Sequence, residues 1–273
     1  MTVAFQGEPG AYSEQAVFEY FGAVETLPCE SFDDVFAAVT AGKAESGLIP
    51  IENTLAGSIH RNYDLLLSHH LWIVGEYFLR VRHCLIAAPG VQKSEIKRVI
   101  SHPQALGQTV GYVRANLPGV RSEAVFDTAG SVKMLKETGD RITAAVASRR
   151  AAELYGMNIL EEGIEDDPEN YTRFLSITPA PRPCTSEAKT SIVFSLKNQP
   201  GALFKAMSVF ALRDIDLTKI ESRPIAGQPW EYMFYIDLAG STADEHVKRA
   251  LDHLAEYALT LRVLGCYPRH RLA

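Results

Sequence analysis

From Thr2 to about Leu160, short β-branched runs alternate with stretches whose apolar residues recur every three or four positions. Residues 2–6, 46–49, 83–88, 99–101 and 143–147 read as strands. The alternation predicts parallel strands covered by helices on both faces, an α/β arrangement. Phe32, Val35, Phe36 and Val39 fall at i, i+3, i+4 and i+7, with Ser31 placed to cap the helix and Gly42 to stop it. Tyr63, Leu66, Leu67 and Leu71 repeat the spacing. So do Leu106, Val110, Val113 and Leu117, whose helix should end at Pro118-Gly119. Residues 72–82 form a longer extended stretch joining the first group of elements to the second, and 172–178 return after Leu160. The whole predicts two α/β lobes with a crossing connection and a cleft between them, where small ligands bind.

The rhythm then changes. Residues 180–188 contain Pro181, Pro183, Thr185 and Ser186 without periodicity and read as a linker. Beyond it, 191–197 is strand-like, Pro200-Gly201 opens a helix carrying Leu203, Met207 and Phe210, and 217–223 and 231–238 are strands. A helix over 247–255 and a last strand over 259–265 complete the order βαββαβ, a ferredoxin-like sandwich. The expected domains are therefore 1–182 and 189–273.

Composition narrows the function. The chain has 273 residues, 47% of them hydrophobic, with a net charge of −6, the profile of a globular protein with room for two domains. Residues up to Arg182 include 16 basic and 23 acidic side chains, and the rest 11 and 10. Neither part is the basic face that nucleic acid requires. The longest stretch without a formal charge, 99–113, is shorter than the ~20 apolar residues of a membrane span, and no basic-then-apolar leader opens the chain, so a cytoplasmic protein is expected. Cys29, Cys84, Cys184 and Cys266 are far apart and form no Cys-x-x-Cys pair, which speaks for reduced thiols and against a zinc site.

Candidate chemistry gathers at helix entrances. Gly10-Ala11-Tyr12-Ser13, Asn53-Thr54 leading to Gly57-Ser58, Ser101-His102-Pro103, Asp127-Thr128 and Ser148 each put a hydroxyl or small residue there. Helix N-termini present unpaired N–H groups and suit an anionic ligand, although any one such turn is ordinarily a simple cap. Gly7-Glu8-Pro9-Gly10 has the spacing of no nucleotide loop. The pairs His60-Arg61 and His69-His70 lack the carboxylate spacing of a zinc site and read as surface residues. Six acids between Glu161 and Glu169 read as a solvated loop. Arg173 could clamp a carboxylate or neutralise that run.

Read in order, Ala4-Phe5-Gln6-Gly7, Gly10-Ala11-Tyr12-Ser13, Pro50-Ile51-Glu52-Asn53-Thr54, Ser101-His102-Pro103-Gln104-Ala105-Leu106, Ala147-Ser148, Asn170-Tyr171-Thr172-Arg173-Phe174, Gly201-Ala202-Leu203-Phe204 and Glu221-Ser222-Arg223-Pro224 form a recognisable string. It resembles the monofunctional prephenate dehydratases with a C-terminal ACT regulatory domain, over nearly the whole chain. Thr54 stands where the family often has Ser and keeps the hydroxyl. The resemblance implies a two-lobed, periplasmic-binding-protein-like α/β catalytic domain and a ferredoxin-like ACT domain. It implies a lyase that converts prephenate to phenylpyruvate, water and carbon dioxide in phenylalanine biosynthesis, without a cofactor or metal.

The resemblance also implies roles. Thr172 would polarise the departing hydroxyl, since a threonine is too weak an acid to deliver a proton unaided. Asn53 and Gln108 would donate from neutral amides, because a cation on the ring carboxylate would stabilise the charge that must leave. Ser101 joins this catalytic set, and Thr54, Ser148 and Ser13 would complete an anion shell from helix entrances. Arg173 and Phe174 would serve the side-chain carboxylate region or the architecture of the cleft. His102 and Glu52 are candidate proton sources. Phenylalanine would bind the ACT domain at Gly201, Ala202, Leu203, Glu221, Ser222 and Arg223, at an interface between paired subunits of a homodimer or homotetramer. Two alternatives stand beside this reading: an arogenate dehydratase, which would give phenylalanine directly, and a non-catalytic amino-acid sensor.

Overall fold

The computed structural model describes residues 1–184, 187–225, 227 and 230–271, so Thr185 and Ser186 of the expected linker lie outside the described residues. The chain divides into two compact units, Met1–Leu65 with Tyr77–Phe174, and Leu66–Glu76 with Leu175–Ala273.

In the first unit β1 (Thr2–Gln6), α1 (Tyr12–Phe21), β2 (Glu25–Cys29), α2 (Phe32–Thr40), β3 (Ser46–Asn53), β4 (Gly57–Ser58) and α3 (His60–Ser68) lead to β5 (Trp72–Arg80). Ser31 and Asp34 form a reciprocal capping box at α2, so this start lies where the sequence put it. The second lobe contains β6 (Cys84–Ala87), β7 (Arg98–Ser101), α4 (Pro103–Gly107), α5 (Val110–Asn116), β8 (Arg121–Ala124), α6 (Thr128–Thr138), β9 (Thr143–Ala147), α7 (Arg149–Tyr155) and β10 (Asn158–Glu162). The chain then returns in β11 (Tyr171–Thr178).

The first sheet runs β2-β1-β3-β11-β5, with β4 on β3; the second runs β10-β6-β9-β7-β8. Alternation along β9 shows why the second lobe is stable. Ala144 and Val146 pack into a cluster with Leu85, Val99 and Val113, whereas Ala145 and Ala147 join Ile86, Ile100 and Val132 on the other face. Both faces are covered, as the uninterrupted apolar runs require. The sheets are mixed and not purely parallel: β1 pairs β2 and β3 in parallel, but β6 is antiparallel to both β9 and β10. In the second sheet the reversed strand is β6, the one reached by the crossing connection, whose direction periodicity does not encode.

A second difference matters more. The single helix expected through Leu106, Val110, Val113 and Leu117 is two helices, broken at Gln108-Thr109. The Thr109 hydroxyl bonds back to the Ala105 carbonyl (2.9 Å), and the carboxylate of Asp166 accepts from the backbone N–H groups of Gly111 (2.8 Å) and Tyr112 (2.9 Å). The second helix thereby gains its own anionic cap. The acidic run is solvent-exposed at Glu162, Asp166, Asp167 and Glu169, as expected, but several of its carboxylates also hold partners. Glu161 accepts from Lys93 (2.5 Å) and Tyr112 (2.6 Å), Glu162 pairs with Arg149, and Glu165 accepts from the His83 backbone N–H (2.9 Å).

The second unit contains β12 (Ala188–Leu196), α8 (Ala202–Ala211), β13 (Leu217–Pro224), β14 (Tyr232–Ala239), α9 (Glu245–Tyr257) and β15 (Ala258–Pro268), the expected βαββαβ order. Its antiparallel sheet runs β13-β14-β12-β15 over a core of Ile192, Phe194, Val209, Phe210, Ile236 and Leu254. Gly201 caps α8 in a left-handed conformation (φ 78°) that favours glycine. Glu76 and Lys189 form a buried ion pair here (2.7 Å), and Glu76 also accepts from the His270 backbone N–H (3.1 Å). No helix among the described residues is long and apolar enough to cross a membrane.

Candidate active site

Asn53 ends β3, and its buried side chain is fixed from behind: Oδ1 accepts from the backbone N–H groups of Leu55 (3.0 Å) and Ala56 (2.9 Å). Nδ2 then donates toward Asn170 Oδ1 (2.8 Å), the Tyr171 carbonyl (3.1 Å) and Thr172 Oγ1 (3.0 Å). Because Thr172 Oγ1 accepts from Asn53, its own O–H is left to donate elsewhere. Thr54 latches the neighbouring strand in place, its hydroxyl donating to the Glu169 carbonyl (2.7 Å) and accepting from the Tyr171 N–H (3.0 Å).

Asn170 Nδ2 donates to Gln108 Oε1 (3.1 Å), and His83 Nε2 lies 2.8 Å from the same oxygen. The Tyr12 hydroxyl is 2.7 Å from His83 Nδ1. One relay of hydrogen bonds therefore runs Thr172, Asn53, Asn170, Gln108, His83, Tyr12. All six line a single cavity of about 130 Å³, together with Val81, His102, Gln104, Ala105 and Thr128. Apart from the two imidazoles and a phenol, the lining consists of neutral groups. The cavity is smaller than the ~300–1,000 Å³ of typical ligand sites and opens to solvent. Burial pushes the His83 imidazole down and the Tyr12 phenol well up, so the first stays neutral and the second keeps its proton.

Among the sequence-derived candidates, Asn53, Gln108, Thr172 and His102 meet at this cavity. His102 caps α4, its Nδ1 accepting from the Gln104 N–H (3.2 Å). Others stand elsewhere. The buried Ser101 hydroxyl donates to the Val146 carbonyl (2.5 Å), tying β7 to β9. Ser148 caps α7 and donates to the Gly10 carbonyl (2.6 Å), where a Cβ on Gly10 would come within 2.9 Å of Ala151 Cα. Ser148 is thus a clasp between the lobes. Alternation along β3 turns Glu52 away from Asn53, and along β11 it turns Arg173 away from Thr172; the Arg173 guanidinium lies 5.9 Å from the Phe78 ring centroid. Phe174 packs in the core with Val3, Phe5 and Leu48. In the first turn of α1 the cavity is met by Tyr12 and not by Ser13.

Tyr12, His83 and Asn170 carry no signal of their own in the sequence: Tyr12 and Asn170 lie inside longer motifs, and His83 reads as the first residue of a strand.

In the second unit a cavity of about 120 Å³ is lined by Ala202 and Leu203 of α8 with Trp230, Tyr232 and Phe234. Gly201, Glu221, Ser222 and Arg223 are not in its lining, the last three belonging to β13, a strand at the end of the sheet order. A Cβ on Gly201 would meet nothing within 4 Å, so its requirement is the left-handed backbone and not close approach within this chain.

A six-membered neutral relay between two α/β lobes, followed by a βαββαβ module, defines a class: a ligand-binding enzyme core with an appended regulatory domain. The prephenate dehydratase family model matches residues 3–182 and the ACT domain model residues 190–256. The chain belongs to the prephenate dehydratase family. It is 50% identical over 277 residues to arogenate dehydratase/prephenate dehydratase 2, chloroplastic, of Arabidopsis thaliana, covering 97% of this chain and 72% of that protein. Among solved structures, prephenate dehydratase of Arthrobacter aurescens in complex with L-Phe superposes with a TM-score of 0.90 at 33% identity, covering 98% of this chain and 90% of the other. GqqA, described as a novel type of quorum-quenching acylase, superposes with a TM-score of 0.93 at 37% identity, covering 99% and 98%.

Proposed function

We propose that the chain is a lyase of phenylalanine biosynthesis that converts prephenate to phenylpyruvate, water and carbon dioxide, under feedback by phenylalanine. The observation that carries this reading is the free O–H of Thr172, oriented by Asn53 inside a cavity of neutral donors. In the substrate the bond to the ring carboxylate breaks, its electron pair completes the aromatic ring, and the C4–O bond breaks as the hydroxyl takes up a proton and leaves as water. Aromatisation supplies the driving force, so the protein has to orient the ring and stabilise the departing oxygen. Thr172 and the Gln108 amide are the donors to that oxygen. Neither carries a charge that would hold the ring carboxylate back. Of the two candidate proton sources, His102 lines the cavity and Glu52 does not.

Ser101, Ser148 and Thr54 serve this chemistry by fixing the lobes and the Thr172 strand, and Arg173 and Phe174 by packing beneath it. We keep the domain boundaries at 1–182 and 189–273. Phenylalanine binds the ACT domain, with Ala202 and Leu203 on one side, and the exposed Leu203, Phe204, Ile220 and Trp230 favour completion of that site by a second copy in a homodimer or homotetramer. The absence of a disulfide among the described cysteines suits a reducing setting, which we assign to the cytoplasm, whereas the Arabidopsis relative is named chloroplastic.

The arogenate reading is supported by the double name of that relative and by relatives named arogenate dehydratase alone, such as arogenate dehydratase 2 of Petunia hybrida, 48% identical. Acyl transfer of the kind named for GqqA would need an activated nucleophile, yet the Thr172 oxygen faces an amide N–H and not a base. Purified protein is incubated with prephenate and with arogenate, with and without phenylalanine. Equimolar phenylpyruvate and carbon dioxide from prephenate, slowed by phenylalanine, is the expected result. Faster turnover of arogenate would move the assignment to the second reading, and no carbon dioxide from either would overturn both.

A further inference from the structure

We propose that His83 is a positioning residue whose ring fixes the Gln108 carboxamide so that its NH2 group, and not its oxygen, is presented to the departing hydroxyl. This deepens the dehydratase reading and rests on it.

The orientation of every amide in the relay follows from a backbone anchor. Main-chain N–H groups can only donate, so the two from Leu55 and Ala56 identify Asn53 Oδ1 as an acceptor and Nδ2 as the donor facing the cavity. The partner of Nδ2 on Asn170 is then an oxygen, which makes the group that Asn170 turns to Gln108 its NH2. That in turn identifies the oxygen of Gln108. His83 Nε2 lies 2.8 Å from this oxygen and has to carry a proton. At the other side of the ring, Nδ1 faces the Tyr12 hydroxyl at 2.7 Å, with the Arg82 carbonyl at 3.1 Å as that hydroxyl's weaker second acceptor. A neutral ring has one N–H, so the arrangement selects the Nε2–H tautomer, with Tyr12 donating to Nδ1.

The surroundings keep the ring neutral. His83 is 2% exposed, and burial holds its imidazole below the ordinary range, with the Glu165 carboxylate and the Gln108 oxygen opposing that shift. Burial and the neighbouring Cys84 and Glu165 hold the Tyr12 phenol protonated. With both lone-pair directions of Gln108 Oε1 used by Asn170 and His83, the amide cannot flip without breaking two hydrogen bonds. Without His83 one of these is lost, and the carboxamide can present oxygen to a hydroxyl that needs a donor.

Nitrogen-15 spectroscopy of histidine-labelled full-length protein reads the tautomer directly; the expected result is a neutral His83 with Nε2 protonated and Nδ1 bare. In the same chain His83→Leu should lower kcat on prephenate about 10- to 100-fold, the scale of a misplaced catalytic group, with KM changed by less than about threefold. His83→Gln, which returns an N–H near the Nε2 position, should recover most of that loss. An Nδ1-protonated ring, an unchanged kcat in His83→Leu, or equal losses in the Leu and Gln variants would overturn the assignment. If His83→Leu fails to fold, the tautomer still decides. Absence of turnover in the unaltered protein would count against the dehydratase reading instead, while the tautomer in that sample would still test the role of His83.

Discussion

Two cavities of this chain, the one lined by the Thr172 relay and the one beside α8, handle polarity in opposite ways. In the catalytic unit six side chains satisfy one another in a neutral relay, and the charged groups nearby are spent on the scaffold: Asp166 on the start of α5, Glu165 on the His83 backbone and Glu161 on Lys93. In the ACT unit the buried polar pair is ionic, Lys189 with Glu76, away from the small pocket, and that pocket is edged by exposed Trp230 and Leu203. A reaction that discards a carboxylate favours uncharged donors that are complete within one chain. Recognition of a small effector can leave apolar surface for another subunit to cover. The first region should respond to substitution in rate, and the second in stability and regulation.

The largest effect expected outside the relay is on folding. Lys189→Met leaves the Glu76 carboxylate buried and without its cation, and should cost about 3–5 kcal/mol in a denaturant titration, with kcat normal in the protein that remains folded. An unchanged midpoint would show that this pair contributes nothing. Next, Trp230→Ala removes one wall of the ACT pocket. It should raise the phenylalanine concentration needed for half-inhibition by roughly tenfold, the scale of an anchoring aromatic, and leave uninhibited turnover intact. A loss of basal turnover with unchanged inhibition would reverse the assignment of the two regions. Ser148→Ala loses the α7 cap and the Gly10 clasp, and should destabilise by about 1–2 kcal/mol.

The smallest effect is one of pH. His83 is held neutral in the folded protein, below its value in the unfolded chain, so the unfolded state takes up its proton first as pH falls. The contribution is favourable to folding above the ordinary histidine range and is lost progressively on acidification toward the lowered folded value. His83→Gln should flatten the loss of stability between about pH 6.5 and 5, above the range in which Asp140 and Glu161 protonate. Identical slopes would contradict a buried neutral ring.

Much of this architecture was legible in the sequence, and the omissions share a cause. Periodicity found α2 with its Ser31 cap and the βαββαβ order of the ACT unit, because apolar spacing and capping residues are local signals. It passed over the break between α4 and α5, since Leu106, Val110, Val113 and Leu117 keep their spacing across it while the deciding partner, Asp166, lies 55 residues from Gly111. Motif order pointed to Asn53, Gln108 and Thr172. It pointed equally to Ser101 and Ser148, whose hydroxyls face backbone carbonyls, because a motif names residues and not the direction in which their hydroxyls point. His83 was hidden for a different reason. A histidine at the head of an apolar strand has no pattern of its own, and its partners Tyr12 and Gln108 come from other elements of both lobes.

The central claim concerns a neutral hydroxyl drawing off a ring oxygen while carbon dioxide departs. The most direct measurement is carbon dioxide release from prephenate by Thr172→Ala and Thr172→Ser beside the unaltered protein. In the Ala variant kcat should fall about 10²-fold or more, with folding unchanged, and Ser should largely restore it. Near-normal turnover in Thr172→Ala would contradict that claim.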